Sequence, residues 1–367
     1  MQPLVSIVIP AYNGADNLLR AIPMLDAQTY APCEIVVVDD GSTDRTPQVL
    51  SELARTRPHL RFVRQDNAGA GAARNRGAAC ARGEFLAFFD CDDIWPETAV
   101  ALRMQPFLAG DDPEIMGVYC PADIVDEHGG LLLEEPLFNY AQPFDRIYFT
   151  AVMGSLFNPS CVIVRKAAFD LAGGFRQELS PAEDFDLWQR MLRTGGCFVK
   201  VSGCRVGWVQ HPSSTVHSRL AFHYDQCVAV QDQLYTGLLP GPCLPEYAGT
   251  MGHVLARRDR TNRALGTAIM AAVSGDADTA DRLAGQISLP FVRLMTVDWL
   301  MWTVRFCTLR ALCRTVSEWP HGVWPEAAPR LLPWLRRLDA RLGGSRNVQG
   351  LVTRLEALPG GEDAVCG

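Results

Sequence analysis

Residues 84–95 read EFLAFFDCDDIW. From Phe85 to Phe89 every position is apolar. Successive side chains of a strand point to opposite faces, so such a run suits a strand covered on both sides, as in a parallel sheet. It ends in three aspartates, Asp90, Asp92 and Asp93. Like charges gathered at the end of a buried segment call for a partner, and a cation is the simplest one.

The same form recurs upstream. Residues 4–10, LVSIVIP, are short and rich in β-branched side chains, and 33–40, CEIVVVDD, again end in carboxylates. After the second run comes GSTDRTPQVLSELART. There Ser42, Thr43 or Asp44 can cap a helix whose Val49, Leu50 and Leu53 share one face. LRFVRQD (60–66) reads as a third strand, and AGAARNRGAACA (70–81) as a helix of small residues. Strand and helix alternating at this spacing predict an α/β fold: a Rossmann-like, mostly parallel sheet with helices on both faces and right-handed crossovers. In such sheets ligands bind beyond the carboxyl ends of the strands, where Asp39, Asp40, Asp90 and Asp92 stand.

From about 115 to 165 the pattern changes. A hairpin is expected to turn at Gly129-Gly130, and SCVIVRKAAFDLAGGF (160–175) reads as strand, short helix and glycine stop. FVKVS and CRVGWVQH are further short strands. Beyond about 218 the chain reads as helical. The expected division is therefore 1–218, an α/β domain, and 219–367, a smaller, mainly helical region.

Composition sets bounds. The chain has 367 residues, 48% of them hydrophobic, and a net charge of −7. Up to residue 250 there are 19 basic and 30 acidic residues, and beyond it 15 and 11. No dense basic stripe marks a nucleic-acid binder. The longest apolar candidate for a membrane span, within 287–319, is interrupted by Arg293, Asp298, Arg305, Arg310 and Arg314. Val5–Ile9 is too short for a secretory signal. The twelve cysteines are scattered without a Cys-x-x-Cys pair, which points to reduced thiols and a cytoplasmic protein. His211, His217 and His223 suit neither one helix face nor a zinc motif and read as loop and surface residues.

Four segments carry chemistry. Asp90 and Asp92 point the same way in an extended chain and can hold a hard divalent cation, Mg²⁺ or Mn²⁺, leaving positions for substrate phosphates. The structural reading beside it is that Asp93 caps a helix starting near Pro96, over Trp95. Asp39 and Asp40 can accept hydrogen bonds from a base or ribose, or simply close a strand-to-helix loop. No Gly-x-Gly-x-x-Gly follows the first strand, so a dinucleotide fingerprint is absent. Gly69 and Gly71 allow close backbone approach, and Arg74 and Arg76 can face a phosphate. In SPAEDFDLWQRMLRTGG (180–196), Ser180, Pro181 and Glu183 fit a capping box, Leu187, Trp188, Met191 and Leu192 form a buried stripe, and Gly195 ends the helix. Asp184 is left over in the first turn, where the helix dipole keeps it ionised and able to accept a proton.

Taken in order, SIVIPAYN, EIVVVDDGSTD, NAGAGAARNRG, FFDCDD and AEDFDLW resemble the family 2 glycosyltransferases over roughly residues 4 to 215. The resemblance implies a GT-A fold and transfer of a sugar from a nucleoside diphosphate, UDP first with GDP and dTDP behind, to an acceptor hydroxyl with inversion. It implies that Pro10, Tyr12 and Asn13 border the nucleotide, with Tyr12 stacking near the base. Asp40 would bind the base with Asp39 beside it, and Arg74 would support base or phosphate. Asp90, Asp92 and Asp93 would carry the Asp-x-Asp pattern, with Mn²⁺ or Mg²⁺ expected on Asp92 and Asp93 and Asp90 toward the diphosphate. Asp184 would be the base, with Glu183 and Trp188 on the acceptor side. Pro23 departs from the family's unbroken first helix and would delay or kink it.

A metal-dependent sugar nucleotidyltransferase would also use paired carboxylates, but PAYNGADN offers no basic Gly-rich loop after the first strand. A non-catalytic sugar-nucleotide or glycan binder would not need Asp184 beside the other carboxylates. The resemblance implies a glycan, a lipid-linked chain or a small molecule as the acceptor. Five of the eight tryptophans lie between Trp299 and Trp334. Together with the arginines of 219–367 they suit either peripheral contact with the inner membrane face or a helical cap with core tryptophans and a homodimer contact.

Overall fold

The structure, a computed structural model, describes residues 2–110, 112–134, 146–147, 158–201, 203–210, 219–236, 249–293, 295–312, 318–319 and 321–359. Two compact units are distinguished, one holding Met1–Gly130 and Glu134–Val209, the other Gln210–Thr236 and Pro245–Gly367.

The first unit begins with β1 (Val5–Ala11), α1 (Ala15–Asp26), β2 (Cys33–Asp40), α2 (Thr46–Arg55), β3 (Leu60–Gln65), α3 (Ala70–Cys80) and β4 (Phe85–Phe88). It continues with α4 (Ala99–Leu108), β5 (Ile115–Tyr119), β6 (Ala122–Val125), β7 (Leu131–Glu134, of which Leu131–Leu133 count with the second unit), β8 (Arg146–Ile147), β9 (Val162–Arg165), α5 (Lys166–Leu171), α6 (Glu183–Leu192), β10 (Cys197–Lys200) and β11 (Val206–Val209). The main sheet has eight strands in the order β3-β2-β1-β4-β9-β5-β10-β8. β1 runs parallel to β2 and β4, with Ile7 beside Ile35 on one side and Ala87 on the other. β9 is antiparallel to both β4 and β5, so the sheet is parallel on one half and mixed on the other.

The chain leaves β1 for β2 and β3 in one direction and returns past it to β4. With right-handed crossovers this reversal puts the helix before β4 on the face opposite the first two, and it opens a crevice at the carboxyl ends of β1 and β4. α3 lies close on β1 because its inward residues are small. A Cβ on Gly77 would stand 2.3 Å from Val8 Cγ1. Both faces of β1 and β4 are dry: Ile7, Val8, Ile9, Leu86, Ala87 and Phe88 have no exposed surface. That is the physical meaning of the continuous apolar runs.

Several expectations are met wholly or in part. Val49, Leu50 and Leu53 are the buried apolar residues of α2, but its N-cap is Arg45 with no side-chain cap, so none of Ser42, Thr43 and Asp44 caps it, although Asp44 Oδ1 accepts the Thr46 N–H at 2.9 Å. The turn at Gly129-Gly130 closes with the Asp126 N–H donating to Gly130 O, Gly129 taking φ +82°. Pro23 does not delay α1 as expected: the helix starts at Ala15 and carries Pro23 in its last turn.

Two further expectations are corrected. α6 starts at Glu183 with Ala182 at its N-cap and no side-chain cap, so Ser180, Pro181 and Glu183 do not form a capping box. The helix begins too late for Ser180 to reach it, and three carboxylates in the first turn, Glu183, Asp184 and Asp186, answer the helix dipole instead. Asp93 does not cap α4, whose N-cap is Thr98; its carboxylate accepts from the Val209 N–H of β11.

The second unit contains α7 (Leu220–Thr236), α8 (Gly249–Ser274), α9 (Ala277–Ala284), α10 (Leu289–Val292), α11 (Val297–Leu312), α12 (Trp324–Arg341) and α13 (Arg346–Glu356). Ala268 and Ile269 of α8 join Val304, Trp324, Leu331, Trp334 and Leu351 in one apolar core. Trp324 and Trp334 are thus core residues, while the side chains of Trp299 and Trp302 lie outside the described set. No helix among the described residues is long and apolar enough to cross a membrane.

Candidate active site

The carboxyl ends of β1, β2 and β4 and the start of α6 carry the candidate residues. At the tip of β1, Pro10 is half-buried and Tyr12 is 53% exposed. Asn13 takes φ +50° and spends its amide oxygen on the next loop, accepting the Thr43 N–H at 2.8 Å. Its own N–H donates to Ser42 Oγ, and the Gly14 N–H to Thr46 Oγ1. Asn13 thus clasps the β1 and β2 loops together and leaves Tyr12 outward.

The two aspartates ending β2 are used differently. Asp40 is buried and accepts three hydrogen bonds, from Gln65 Nε2 at 2.8 Å, the Ala68 N–H at 2.9 Å and the Gly69 N–H at 2.8 Å. Its oxygens hold the loop into α3. Asp39 Oδ1 accepts the Ser42 N–H at 2.9 Å, while its buried Oδ2 has no hydrogen-bond partner among the described residues. The half-exposed guanidinium of Arg64 lies 3.4 Å from that oxygen. Of the two, Asp39 is thus the one that keeps an oxygen without a hydrogen-bond partner among the described residues. Arg64 escaped the sequence reading because nothing local marks it: its value comes from β3 lying beside β2.

Arg74 does not face solvent. It is 5% exposed, its Nη2 donates to Asp90 Oδ1 at 2.7 Å and its Nη1 to Glu183 Oε1 at 3.2 Å, and its guanidinium lies 5.5 Å from the Phe175 ring. Burial alone would lower its pKa, but Asp90 and Glu183 overcome this and hold it above the usual arginine range. Arg74 therefore joins the β4 carboxylates to α6 and does not project toward the end of β2. Arg76 is exposed.

In the DCDD turn, Asp90 and Asp92 are half-buried and Asp93 is buried. The Asp90 N–H donates to Ser160 Oγ at 3.0 Å, and Ser160 O accepts from Trp95 Nε1 and Arg103 Nη1, both at 2.9 Å. Ser160 is thus a fully buried support behind the turn, again invisible in the sequence because it lies 70 residues from Asp90. Burial first, then Asp92 and Asp90, push the Asp93 carboxyl well above the usual carboxylate range. Asp93 is turned inward to β11, which leaves Asp90 and Asp92 as the accessible pair. Among the described residues no group of three or more His, Cys, Asp or Glu side chains forms a metal cage. Two carboxylates are nonetheless what a hard divalent cation takes from protein when substrate phosphates supply the rest, so the donor set fits such an ion.

On α6, Glu183 is buried against Arg74, and half-buried Asp184 accepts the Phe185 N–H at 2.6 Å. Trp188 has no exposed surface and packs edge-on against Phe175 and Phe198, at 6.2 and 5.9 Å. Glu183 and Trp188 therefore anchor the helix and are closed to solvent. His211 and His217 lie outside the described residues.

Residues 6–165 match the sequence model of glycosyl transferase family 2. An uncharacterised glycosyltransferase of Rickettsia typhi is 29% identical over 197 residues, 53% of this chain and 61% of that one. Chondroitin synthase of Escherichia coli is 32% identical over 197 residues, 53% of this chain and 27% of that one. The chain thus matches less than two thirds of the length of these curated relatives. Among solved structures, the mannosyltransferase PcManGT of Pyrobaculum calidifontis, in complex with GDP-Man and Mn²⁺, superposes with a TM-score of 0.56 at 19% identity, over 85% of this chain and 87% of that one. S. aureus TarS 1–349, in complex with UDP-GlcNAc, does so with a TM-score of 0.54 at 18% identity, over 96% and 90%. These two likenesses concern the fold. The ordered motifs, the sheet with its switch point between β1 and β4, and the matched segment agree: residues 6–165 match glycosyl transferase family 2, on a GT-A fold.

Proposed function

We propose that the chain transfers a sugar from a nucleoside-diphosphate donor to an acceptor hydroxyl, with inversion at the anomeric carbon. One arrangement supports this above all: Arg74 touches both Asp90 of the DCDD turn and Glu183, the residue before Asp184. A diphosphate seated at Asp90 and Asp92 then has a carboxylate base on the neighbouring helix.

Each residue has a task under this reading. The base stacks on exposed Tyr12. Asp39 Oδ2 accepts from a ring N–H while Arg64 donates to the adjacent carbonyl. Uracil, thymine and guanine present that pair of groups in that order, and adenine and cytosine present the reverse. UDP is the first choice, with GDP and dTDP behind. Asp90 and Asp92 would hold Mn²⁺ or Mg²⁺, which when bound neutralises charge on the leaving diphosphate. Asp184 takes the proton of the acceptor hydroxyl as its oxygen bonds to the anomeric carbon and the bond to the diphosphate breaks on the opposite face. A single displacement requires one base and no enzyme nucleophile.

Asp184→Asn tests the reading. Stabilisation by nucleoside diphosphate with Mn²⁺ should persist, since ligand binding raises the unfolding temperature, while turnover falls by roughly 10²–10⁴-fold. Undiminished turnover would remove Asp184 from its role. A flat thermal-shift panel over UDP, GDP, dTDP, CDP and ADP would sink the nucleotide reading itself.

A further inference from the structure

Two residues beyond Asp184 on α6, Asp186 is fully buried. Its Oδ1 accepts from Arg176 Nη2 at 2.5 Å. Its Oδ2 accepts from Arg190 Nε at 2.8 Å and lies 2.7 Å from Arg190 Nη2. Arg190 is buried too, and its remaining donors go to the loop after α5, to Ala172 O and, at 2.6 Å, to Gly174 O.

That loop is held from a second side. Asn75 of α3 donates to Phe175 O at 2.7 Å and accepts the Phe175 N–H at 2.8 Å. Gly174 lies at φ +68°, and a Cβ there would stand 2.6 Å from Asn75 Oδ1. α3 is also the helix that carries Arg74. The first turn of α6 is therefore tied to α3 twice: directly through Glu183 and Arg74, and indirectly through Asp186, Arg190, the glycine loop and Asn75.

We propose that Asp186 is a positioning residue for the base, resting on the reading of Asp184 given above. It fixes the first turn of α6, and its charge offsets the guanidinium groups of Arg176 and Arg190, which meet it two residues along the helix from Asp184, while Arg74 acts on Asp184 from α3. Buried charges are weakly screened, so removing one negative charge there acts on a neighbouring carboxylate. With Asp186 neutral, the field of Arg176 and Arg190 favours the ionised base and weakens its hold on a proton. With Arg176 neutral, the change has the opposite sign.

The test uses the full chain, Asp186→Asn, Arg176→Gln and Asp184→Asn. Turnover is measured as nucleoside diphosphate released with Mn²⁺ from UDP-glucose, UDP-GlcNAc, UDP-galactose, GDP-mannose and dTDP-rhamnose, using the donor that wild type turns over fastest. For Asp186→Asn, kcat should fall about 10-fold or more with donor KM within about 2-fold. The acid limb of its pH–rate profile should move down by roughly half a pH unit or more, and that of Arg176→Gln should move up. A purely structural role would lower both rates without shifting the limbs in opposite directions. If Asp184→Asn abolishes turnover and the two limbs stay where wild type has them, Asp186 has no such role. If Asp184→Asn keeps turnover, or wild type releases nothing from any donor, the reading of the site fails and this inference with it.

Discussion

Arg74 and Glu183, 109 residues apart in the chain, form a buried ion pair at 3.2 Å, both side chains under a tenth exposed. The same guanidinium holds Asp90 at 2.7 Å. Two motifs that look independent in the sequence are thus one charged unit, and the spacing between the β4 carboxylates and α6 is set by a side chain from α3.

Breaking that unit from one side should be costly, because it leaves carboxylates buried without their cation. Arg74→Met is expected to destabilise the first unit by roughly 3–5 kcal/mol. Adding Glu183→Gln should recover part of the loss, since the second change removes one unpaired charge. Urea unfolding of the wild type, both single variants and the double variant measures the coupling; strictly additive effects would mean the pair does not interact.

Asp39 and Asp40 should separate by phenotype. Asp40→Asn replaces an acceptor of three hydrogen bonds and should lower stability by about 1–3 kcal/mol. Asp39→Asn should leave stability nearly unchanged and weaken UDP binding by about 10-fold or more. It should also narrow the preference for UDP over CDP, because an amide can donate to the cytosine ring nitrogen. Calorimetric titration with UDP and CDP reads both effects, and equal weakening by the two variants would contradict the assignment.

Gly77 tests the close seat of α3 on β1. Gly77→Ala pushes a methyl group to within 2.3 Å of Val8 Cγ1, with both residues buried, and should cost about 1–3 kcal/mol. Combining it with Val8→Ala should make the pair less destabilising than the sum of the single variants. A thermal unfolding temperature unchanged by Gly77→Ala would show that α3 can move off the sheet.

The second unit holds its own pH dependence. Asp259 on α8 is buried and accepts from the Tyr235 hydroxyl, and burial pushes its carboxyl up to about 7. The unfolded value is about 3.9. Between the two the folded state binds the extra proton, so this group's contribution is complete below about pH 4 and is lost as pH rises toward 7, on the order of 4 kcal/mol in all. Asp259→Asn should lose that slope: its stability relative to wild type should rise from pH 4 to 8. A constant difference across that range would show that Asp259 stays ionised in the fold.

Local rules of chain geometry and burial sufficed for the layout of the sheet and for its binding edge. Uninterrupted apolar runs such as Phe85–Phe89 read directly as strands covered on both faces, and alternation with helices makes the sheet parallel at its start. Carboxylates at the ends of those runs then fall at the binding edge of the sheet. Which of those carboxylates is available was settled only by long-range packing. Asp40, not Asp39, meets Gln65 and the α3 loop; Asp93, not Asp92, turns inward to Val209; and Arg74 is drawn between Asp90 and Glu183. Ser160, Arg64 and Asp186 acquire their contacts the same way. A side chain's type is local, but whether its polar atoms are already satisfied depends on partners tens of residues away, and in a buried site that satisfaction separates a ligand-binding group from a structural one.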